Sequence, residues 1–259
     1  MNIPQHDPPW PHGKAAAVCL AYDDAMRCHA DLVAPALEEH GLRATFYAPI
    51  WGDLIANTEA WREMARRGHE LGNHTIFHPC RRELAPGSGC LENWNNLFHF
   101  TPERFRNELE VANFALHLID GQTERTYGNT CHEVWIGPEE SKQRIEPILS
   151  PLFLAGRGGW SNHPVAPATA DLLKIGTLGG DGRKFEEWRA AIEEAVSMNG
   201  LLILTFHGVG RGSERLQVDE SEHLRLLGYL QEHRDNIWSA PLVQIARHLR
   251  AERKSSWPE

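Results

Sequence analysis

Short apolar runs alternate with amphipathic segments along most of the chain. A run without helical period predicts a strand, and apolar residues that recur every three or four positions predict a helix. Strands are predicted in this way at 14–22, 44–50, 70–73, near 126, 152–155, 201–206 and 237–238. Helices are predicted at 30–42, 58–67, 102–118, 139–149, 185–198, 220–233 and 241–250, and the weakly periodic segment 79–100 predicts a long loop.

The repeated alternation of strand and helix predicts the fold class. It favours an α/β fold with a parallel sheet, either closed as a barrel or open and doubly wound. The run 201–206 (LLILTF) is apolar throughout, as a strand buried on both faces should be. No linker or internal repeat divides the sequence, and its 259 residues suit one α/β barrel. We therefore expect a single domain over 1–259.

The charge balance narrows the set of partners. Asp and Glu (35) outnumber Lys and Arg (26), which gives a formal net charge of −9. A surface of this sign repels the phosphates of nucleic acid, so we expect no nucleic-acid partner. The apolar runs are far shorter than the roughly 18 to 20 residues of a membrane helix, so we expect no membrane span. The sequence leaves a homo-oligomer open.

The N-terminus, the cysteines and the histidines bear on compartment and chemistry. The first twelve residues contain four prolines and lack the basic-then-apolar order of a secretory signal, so we expect a cytoplasmic protein. The five cysteines form no C-x-x-C pair, and their odd number favours reduced, mostly packing thiols over a disulfide framework. The 15 histidines exceed what average composition provides and raise the expectation of metal or acid–base chemistry.

Polar residues that can carry chemistry follow three of the predicted strands: Asp23 and Asp24, then His74 and His78, then His207. Because the carboxyl ends of parallel strands converge on one face, we expect these groups to meet. Asp24 with His74 and His78 would form a set that leaves coordination positions open for water and substrate. Asp23 points the other way on an extended chain and would face the substrate. His207 is suited to protonating a leaving group.

Each of these groups also has a plainer interpretation. A histidine pair at this spacing is expected about once by chance in this composition. Asp23 and Asp24 could cap a helix N-terminus, and His207 could be a core histidine with satisfied hydrogen bonds. The glycines after His207 (GVGRG) match neither common phosphate-binding motif, and no G-x-S-x-G supports a serine nucleophile. The shared placement at strand ends favours the functional interpretation.

The segments around these groups resemble the polysaccharide deacetylases of carbohydrate esterase family 4, the NodB-homology group. AYDD (21–24) is similar to the first motif of that family, GHELGNHTIFHP (68–79) to its H-S/T-x-x-x-H metal motif, and LILTFHGVG (202–210) to its last motif. The resemblance implies a distorted (β/α) barrel and hydrolysis of an acetamide or acetyl ester on a sugar. It also implies a divalent metal ion, most often zinc, with cobalt, nickel or manganese as alternatives.

Carried over to these positions, the resemblance implies one role for each residue. Asp23 would be the general base that activates water, and His207 would be the general acid. The metal ligands would be Asp24, His74 and His78. These roles agree physically, because each residue type is able to perform the step given to it.

Two motifs of the family are altered in this sequence. The third, R-x-P-Y/F-G, resembles only RTYG, from which we assign Arg125 to substrate binding and Tyr127 to catalysis through a backbone N–H in an oxyanion hole. The fourth, with Asp and Trp, resembles only RGGW, where Trp160 would bind substrate and the acidic partner of His207 is missing. Thr205 stands where the family has an apolar residue, and we assign it to the substrate pocket.

We therefore predict a metal-dependent hydrolase that removes acetyl groups from an N-acetylated or O-acetylated sugar or oligosaccharide, or from a related small molecule. One alternative is a hydrolase of the same fold that acts on non-sugar amides without metal, as allantoinase-like proteins do. Another is a carbohydrate-binding member that has lost turnover, because two motifs are altered. Trp94, Phe98 and Phe100 in the predicted loop would stack on sugar rings or cover the barrel mouth.

Overall fold

The computed structural model of the protein describes residues 9–81, 93–210 and 216–256. Its strands are β1 (Ala16–Asp23), β2 (Thr45–Ala48), β3 (Glu70–Asn73), β4 (Thr126–Gly128), β5 (Trp135–Ile136), β6 (Gln143–Arg144), β7 (Ala155–Trp160), β8 (Ile175–Gly179), β9 (Leu201–Phe206), β10 (Gly208–Gly210), β11 (Gln217–Asp219) and β12 (Ile237–Ser239). Its α-helices are α1 (Ala34–Glu39), which continues a π-helix (His29–Val33), α2 (Gly52–Ala56), α3 (Thr58–Arg66), α4 (Pro102–Asp120), α5 (Glu146–Leu149), α6 (Phe185–Ser197), α7 (Glu220–Glu232) and α8 (Leu242–Ser256). None of the described helices has the length and apolar character of a membrane span.

Seven parallel strands close into a barrel. Their order is β1-β2-β3-β4-β7-β8-β9, and β9 pairs back with β1 from Ala17–Leu201 to Tyr22–Phe206. β12 pairs with residues 16–18 of β1, whereas β2 pairs only with residues 21–23. The first strand therefore changes one neighbour halfway along its length, which distorts the barrel. The predicted single-domain (β/α) barrel is confirmed.

The two faces of β1 contribute to different hydrophobic clusters, because successive strand residues point to opposite sides. Its even-numbered residues pack with the surrounding helices, including α6 and α7. Residues 17, 19 and 21 face the barrel interior, which α8 closes with Leu242, Ile245 and Leu249. Asp23 continues this interior series at the carboxyl end of the strand. The open end of the barrel is therefore the end at which the strands finish.

The glycine-rich strands differ from the sequence prediction. β7 begins where the pattern predicts that a strand ends, and the pattern does not predict β8 at all. The segment predicted as helix 139–149 contains part of the antiparallel β5–β6 pair and the four-residue α5. The short α2 is also absent from the prediction. β7 (AGRGGW) and β8 (IGTLG) lack a continuous apolar pattern because glycine occupies several of their positions.

Candidate active site

A pocket of about 460 Å³ opens at the carboxyl ends of the barrel strands. Its polar lining includes Asp23, Asp24, His78, His132 and His207, and its apolar lining includes Trp51, Phe77, Trp160 and Leu216. The volume falls in the range of small-molecule sites. His74 is buried beside this pocket, 3.6 Å from Asp24. The three polar groups predicted from the sequence therefore meet at one place.

Asp24, His74 and His78 lie close enough together to bind one metal ion. The Nε2 atoms of His78 and His74 are 3.2 Å and 3.6 Å from Asp24 Oδ1. His74 Nδ1 donates a hydrogen bond to the carbonyl oxygen of Gly128 at 2.8 Å, so its Nε2 carries the lone pair that a metal requires. That Nε2 is buried without a hydrogen-bond partner in the described part of the chain. These donors fit a divalent cation such as zinc, with positions left open for substrate.

Short polar side chains hold the candidate metal-binding loop, residues 73–78, in its shape. The loop contains left-handed residues at Thr75 (φ 65°) and His78 (φ 51°). Asn73 Oδ1 accepts a hydrogen bond from the Thr75 amide at 2.8 Å, and Thr75 Oγ1 accepts one from the His78 amide at 2.9 Å. Such contacts stabilise tight turns, and strained backbone is common at functional sites. The sequence N-H-T-x-x-H therefore encodes both the ligands and their placement.

Asp23 forms a buried ion pair with an arginine from another strand. Arg157 Nη2, in β7, is 2.8 Å from Asp23 Oδ2, and both side chains are buried. Burial alone would raise the pKa of Asp23, but the positive charge of Arg157, and then that of His207, outweigh it and hold this pKa below its usual value. Asp23 Oδ1 is buried and has no hydrogen-bond partner among the residues described. Asp23 is therefore ionised, with one oxygen held and the other free to accept a proton.

His207 is held by an acidic residue that the sequence analysis missed. Its Nδ1 is 2.6 Å from Asp181 Oδ2, and its backbone amide donates to Asp181 Oδ1 at 3.1 Å. His29 Nε2 also donates to the carbonyl oxygen of His207 at 2.8 Å. Burial lowers the pKa of His207, but the hydrogen bond to Asp181 and the charges of Asp23 and Asp24 raise it to about 9. His207 is therefore protonated at neutral pH, as a general acid must be.

Sequence signals for Asp181 and Arg157 exist but are weak. Asp181 comes two residues after β8, and so lies close to the carboxyl end of a strand, as the predicted groups do. Arg157 is a lone charge inside a short run of small residues. Recognising them requires that β7 and β8 be recognised first.

Arg125 lies at the wrong end of the barrel for substrate binding. Its guanidinium is buried and forms an ion pair with Asp120 at 2.6 Å, and it also donates to the carbonyl oxygen of Leu71 at 2.8 Å. It lines a separate cavity of about 180 Å³ together with Glu70, the first residue of β3. The assignment of Arg125 to substrate binding is corrected accordingly, because its charge is already neutralised away from the pocket.

Tyr127 and Thr205 are part of the barrel wall. Tyr127 pairs with Asn73 and Gly156 of the neighbouring strands, and its side chain is buried in the core. Thr205 is fully buried, with its hydroxyl 2.7 Å from that of Thr177. Neither residue lines the pocket. The side chain of Tyr127 therefore takes no part in the pocket, and the assignment of its backbone N–H to an oxyanion hole stays a prediction. The substrate-binding assignment of Thr205 is not retained, whereas Trp160 does line the pocket.

The aromatic residues of the predicted loop separate into two groups. Trp94 is 47% exposed and packs edge-to-face on Phe77 at 5.2 Å. Phe100 is buried in the core and lies under the guanidinium of Arg104, and Phe98 lies under that of Arg81. Phe77 lines the pocket, so Trp94 packs on a residue of the pocket wall. Residues 82–92, the centre of the predicted loop, lie outside the described residues.

A disulfide between Cys80 and Cys131 joins the loop after β3 to the loop after β4. The expectation that the cysteines are reduced is therefore wrong for this pair, whereas Cys19 and Cys28 are free thiols. Cys90 lies outside the described residues. Cys80 is two residues beyond His78, so the bridge ties the candidate metal-binding loop to the neighbouring loop of the pocket.

Reducing this disulfide is expected to destabilise the protein and weaken metal binding at His78. The bridge spans 51 residues, for which chain-entropy arguments give a stabilisation of about 4 kcal/mol. The measurement is the free energy of unfolding and the metal affinity of Cys80→Ser/Cys131→Ser, with Cys28→Ser as the matched control. Equal values in the double variant and the control would contradict the prediction.

Comparisons with known proteins agree with this geometry. Residues 12–129 match the sequence profile of the polysaccharide deacetylase family. A gellan lyase from Bacillus sp. is 29% identical over 69 residues, which are 27% of this chain but only 3% of that protein's length. A match to so small a part of the gellan lyase does not carry the activity of that protein over to this chain.

Two solved structures share the fold over nearly the whole chain. A Mycobacterium smegmatis protein described as a polysaccharide deacetylase is 20% identical, with coverage of 94% of this chain and 93% of that one and a TM-score of 0.63. Puue allantoinase is 13% identical, with coverage of 97% and 98% and a TM-score of 0.62. At these identities the likeness establishes the fold. Together with the match over residues 12–129, it supports the resemblance drawn from the motifs.

Proposed function

Because residues 12–129 match the profile of the polysaccharide deacetylase family, we propose that this protein is a hydrolase that removes acetyl groups from an N-acetylated or O-acetylated sugar or oligosaccharide with a divalent metal, for which zinc is the first candidate. The observation that carries the proposal is the meeting of Asp24, His74 and His78 with Asp23 and His207 at one pocket. A ligand set, a proton acceptor and a proton donor are the groups that metal-assisted hydrolysis requires.

Asp24, His74 and His78 would hold the metal, and a divalent cation bound there supplies a Lewis acid for the acetyl carbonyl. Asp23 accepts the proton of the attacking water at Oδ1, the oxygen without a partner in the described structure. Arg157 holds the other oxygen and keeps the carboxylate ionised. Because the base is held by a buried ion pair, it needs little reorganisation when the proton moves.

His207 completes the reaction by donating a proton to the leaving nitrogen or oxygen. Asp181 accepts the hydrogen bond of Nδ1, which leaves the Nε2 proton available for transfer. Nε2 lies on the Asp24 side of the ring, 3.9 Å from Asp24 Oδ2. The acid is therefore next to the proposed metal ligands, where the scissile bond would lie.

A metal-independent hydrolase of non-sugar amides is the second candidate, since Puue allantoinase has the same fold. The complete set of three metal donors favours the deacetylase. A non-catalytic carbohydrate-binding role is less consistent with the site, because both Asp23 and His207 have the partners that a base and an acid require. Insensitivity to chelators would favour the metal-independent hydrolase, and saturable sugar binding without acetate release would favour the non-catalytic role.

The purified protein is expected to contain about one equivalent of metal, which Asp24→Asn and His78→Ala both lose. Each substitution removes one of three protein ligands, and a divalent cation at such a site needs all three. The measurement is elemental analysis after reconstitution with zinc or cobalt. The matched control is His163→Ala, an exposed histidine paired with Glu194.

Failure to bind metal after reconstitution would contradict the mechanism and favour the metal-independent alternative. If metal is bound, acetate release from N-acetylated chitooligosaccharides and O-acetylated xylooligosaccharides tests the substrate class, with allantoin as the competing substrate. Hydrolysis of allantoin in place of acetyl release would overturn the proposed function.

A further inference from the structure

His132 lies in the wall of the pocket, and the proposed reaction does not use it. It belongs to the loop that follows β4 and lines the same cavity as Asp23 and His207. Its ring lies against the indole of Trp160, with centroids 3.5 Å apart and planes tilted by 30°. A histidine from the loop after β4 and a tryptophan from β7 thus form one surface of the pocket.

The backbone around His132 is strained and cross-linked. Cys131 (φ 50°) and His132 (φ 57°) are consecutive left-handed residues, a conformation that ordinary side chains seldom adopt. The disulfide of Cys131 and a hydrogen bond from Thr130 Oγ1 to the carbonyl oxygen of Pro79 hold the loop in this state. Strain that the surrounding contacts maintain is typical of functional loops. The position of the imidazole is therefore fixed before any ligand binds.

The hydrogen bond of His132 determines what its other nitrogen can do. Nδ1 is 3.4 Å from the carbonyl oxygen of Gly158, which can only accept, so the ring proton is on Nδ1 and Nε2 is an acceptor. Burial, and then the charge of Arg157, lower the pKa of His132 to about 3, which keeps the ring neutral. Nε2 has no hydrogen-bond partner in the described chain and is not among its buried unpaired atoms, so it is accessible from the pocket.

Trp160 provides an apolar surface next to this acceptor. Its side chain is 58% exposed, and its ring lies so close to β8 that a Cβ on Gly179 would come within 2.7 Å of Cζ3. Trp51, which follows β2, is 47% exposed and lines the same pocket. β2 and β7 are three places apart in a ring of seven strands, so the two exposed indoles come from separate parts of the pocket wall. A flat ring with apolar faces can pack on such a surface.

We propose that His132 determines substrate specificity, with Nε2 accepting a hydrogen bond from a hydroxyl of the sugar ring that packs on Trp160. Sugars present such a combination, because their C–H faces are apolar and their edges carry hydroxyl donors. The inference rests on the proposed deacetylase function and adds to it a contact that recognises the sugar ring. His132 acts on binding and takes no part in the proton transfers.

The test measures kcat/KM for acetate release from an N-acetylated chitooligosaccharide and from analogues that each lack one hydroxyl. In the wild type, removal of the hydroxyl that donates a hydrogen bond to His132 should lower kcat/KM by about three- to ten-fold, mostly through KM. His132→Phe and His132→Asn should show a similar loss with the parent sugar and no further loss with that one analogue. His163→Phe, the matched control, should keep the wild-type pattern.

Two outcomes separate this inference from the proposed function. If the wild type releases acetate but each analogue lowers kcat/KM of the variants as much as that of the wild type, His132 has a structural role. The inference then fails and the proposed function stands. If the wild type releases no acetate from sugars or from 4-nitrophenyl acetate, the proposed function fails and the inference with it. Thermal unfolding of both His132 variants shows whether they are folded, and Asn is included because it tolerates a left-handed backbone.

Discussion

Replacing Asp23 with asparagine is expected to lower kcat by about 10²- to 10⁴-fold and to leave the bound metal in place. Asparagine keeps the shape of the side chain and can still accept the hydrogen bond from Arg157, but it cannot take a proton from water. The three proposed metal ligands are other residues, so metal content should not change. The measurement is acetate release together with elemental analysis of the same sample.

The matched variant is Asp24→Asn, one residue further along the chain. It should lose both activity and metal, because Asp24 Oδ1 faces His74 and His78. Loss of metal from Asp23→Asn would count against the assignment of Asp23 as base. Asp23→Asn leaves the buried Arg157 charge without a charged partner, and breaking a buried ion pair typically costs about 3 to 5 kcal/mol, so kcat must be measured where the variant is folded.

The sequence predicts the proposed ligands, base and acid because they obey a simple rule of parallel barrels. Strands that are buried on both faces appear as continuous apolar runs, and the polar residues that follow them lie at the open end. β1 and β9 have this character, and their ends carry Asp23 and His207. The short β3 is followed by the histidine pair. For these strands, the local pattern and the tertiary environment agree.

β7 and β8 could not be predicted, because their glycines respond to tertiary contacts that the sequence does not display. A Cβ on Gly156 would lie 2.6 Å from the carbonyl oxygen of Leu173, and one on Gly176 would lie 2.5 Å from Cβ of Ser161. Close packing therefore requires glycine where strand propensity disfavours it. Arg157 in β7 and Asp181 after β8, the partners of Asp23 and His207, are therefore not predicted either.

Arg125 and the cysteines show two further limits of reasoning from motifs. Arg125 matches a family motif by residue type, yet Asp120, five residues before it, neutralises its charge away from the pocket. The parity of the cysteine count favours reduced thiols, but Cys80 and Cys131, 51 residues apart, are brought together by the loops after adjacent strands. In both cases the deciding fact is a position in space.

Replacing His207 with alanine is expected to lower kcat by about 10²- to 10⁴-fold, the usual share of general acid catalysis. The loss should be greater for N-acetyl than for aryl ester substrates, because an amine must be protonated before it leaves and a phenolate need not be. The measurement compares kcat for an N-acetylated sugar with kcat for 4-nitrophenyl acetate. An unchanged kcat for the sugar would exclude His207 as the acid.

A second variant, Asp181→Asn, tests how the acid is kept protonated. The raised pKa of about 9 means that His207 holds its proton below that pH and loses it as the pH rises through that value, so wild-type kcat should fall on the alkaline side. Without the carboxylate of Asp181, burial lowers this pKa with less opposition, and the alkaline limb should move to lower pH. A limb that does not move would mean that Asp181 orients the ring without setting its proton affinity, and that the charges of Asp23 and Asp24 keep the acid protonated.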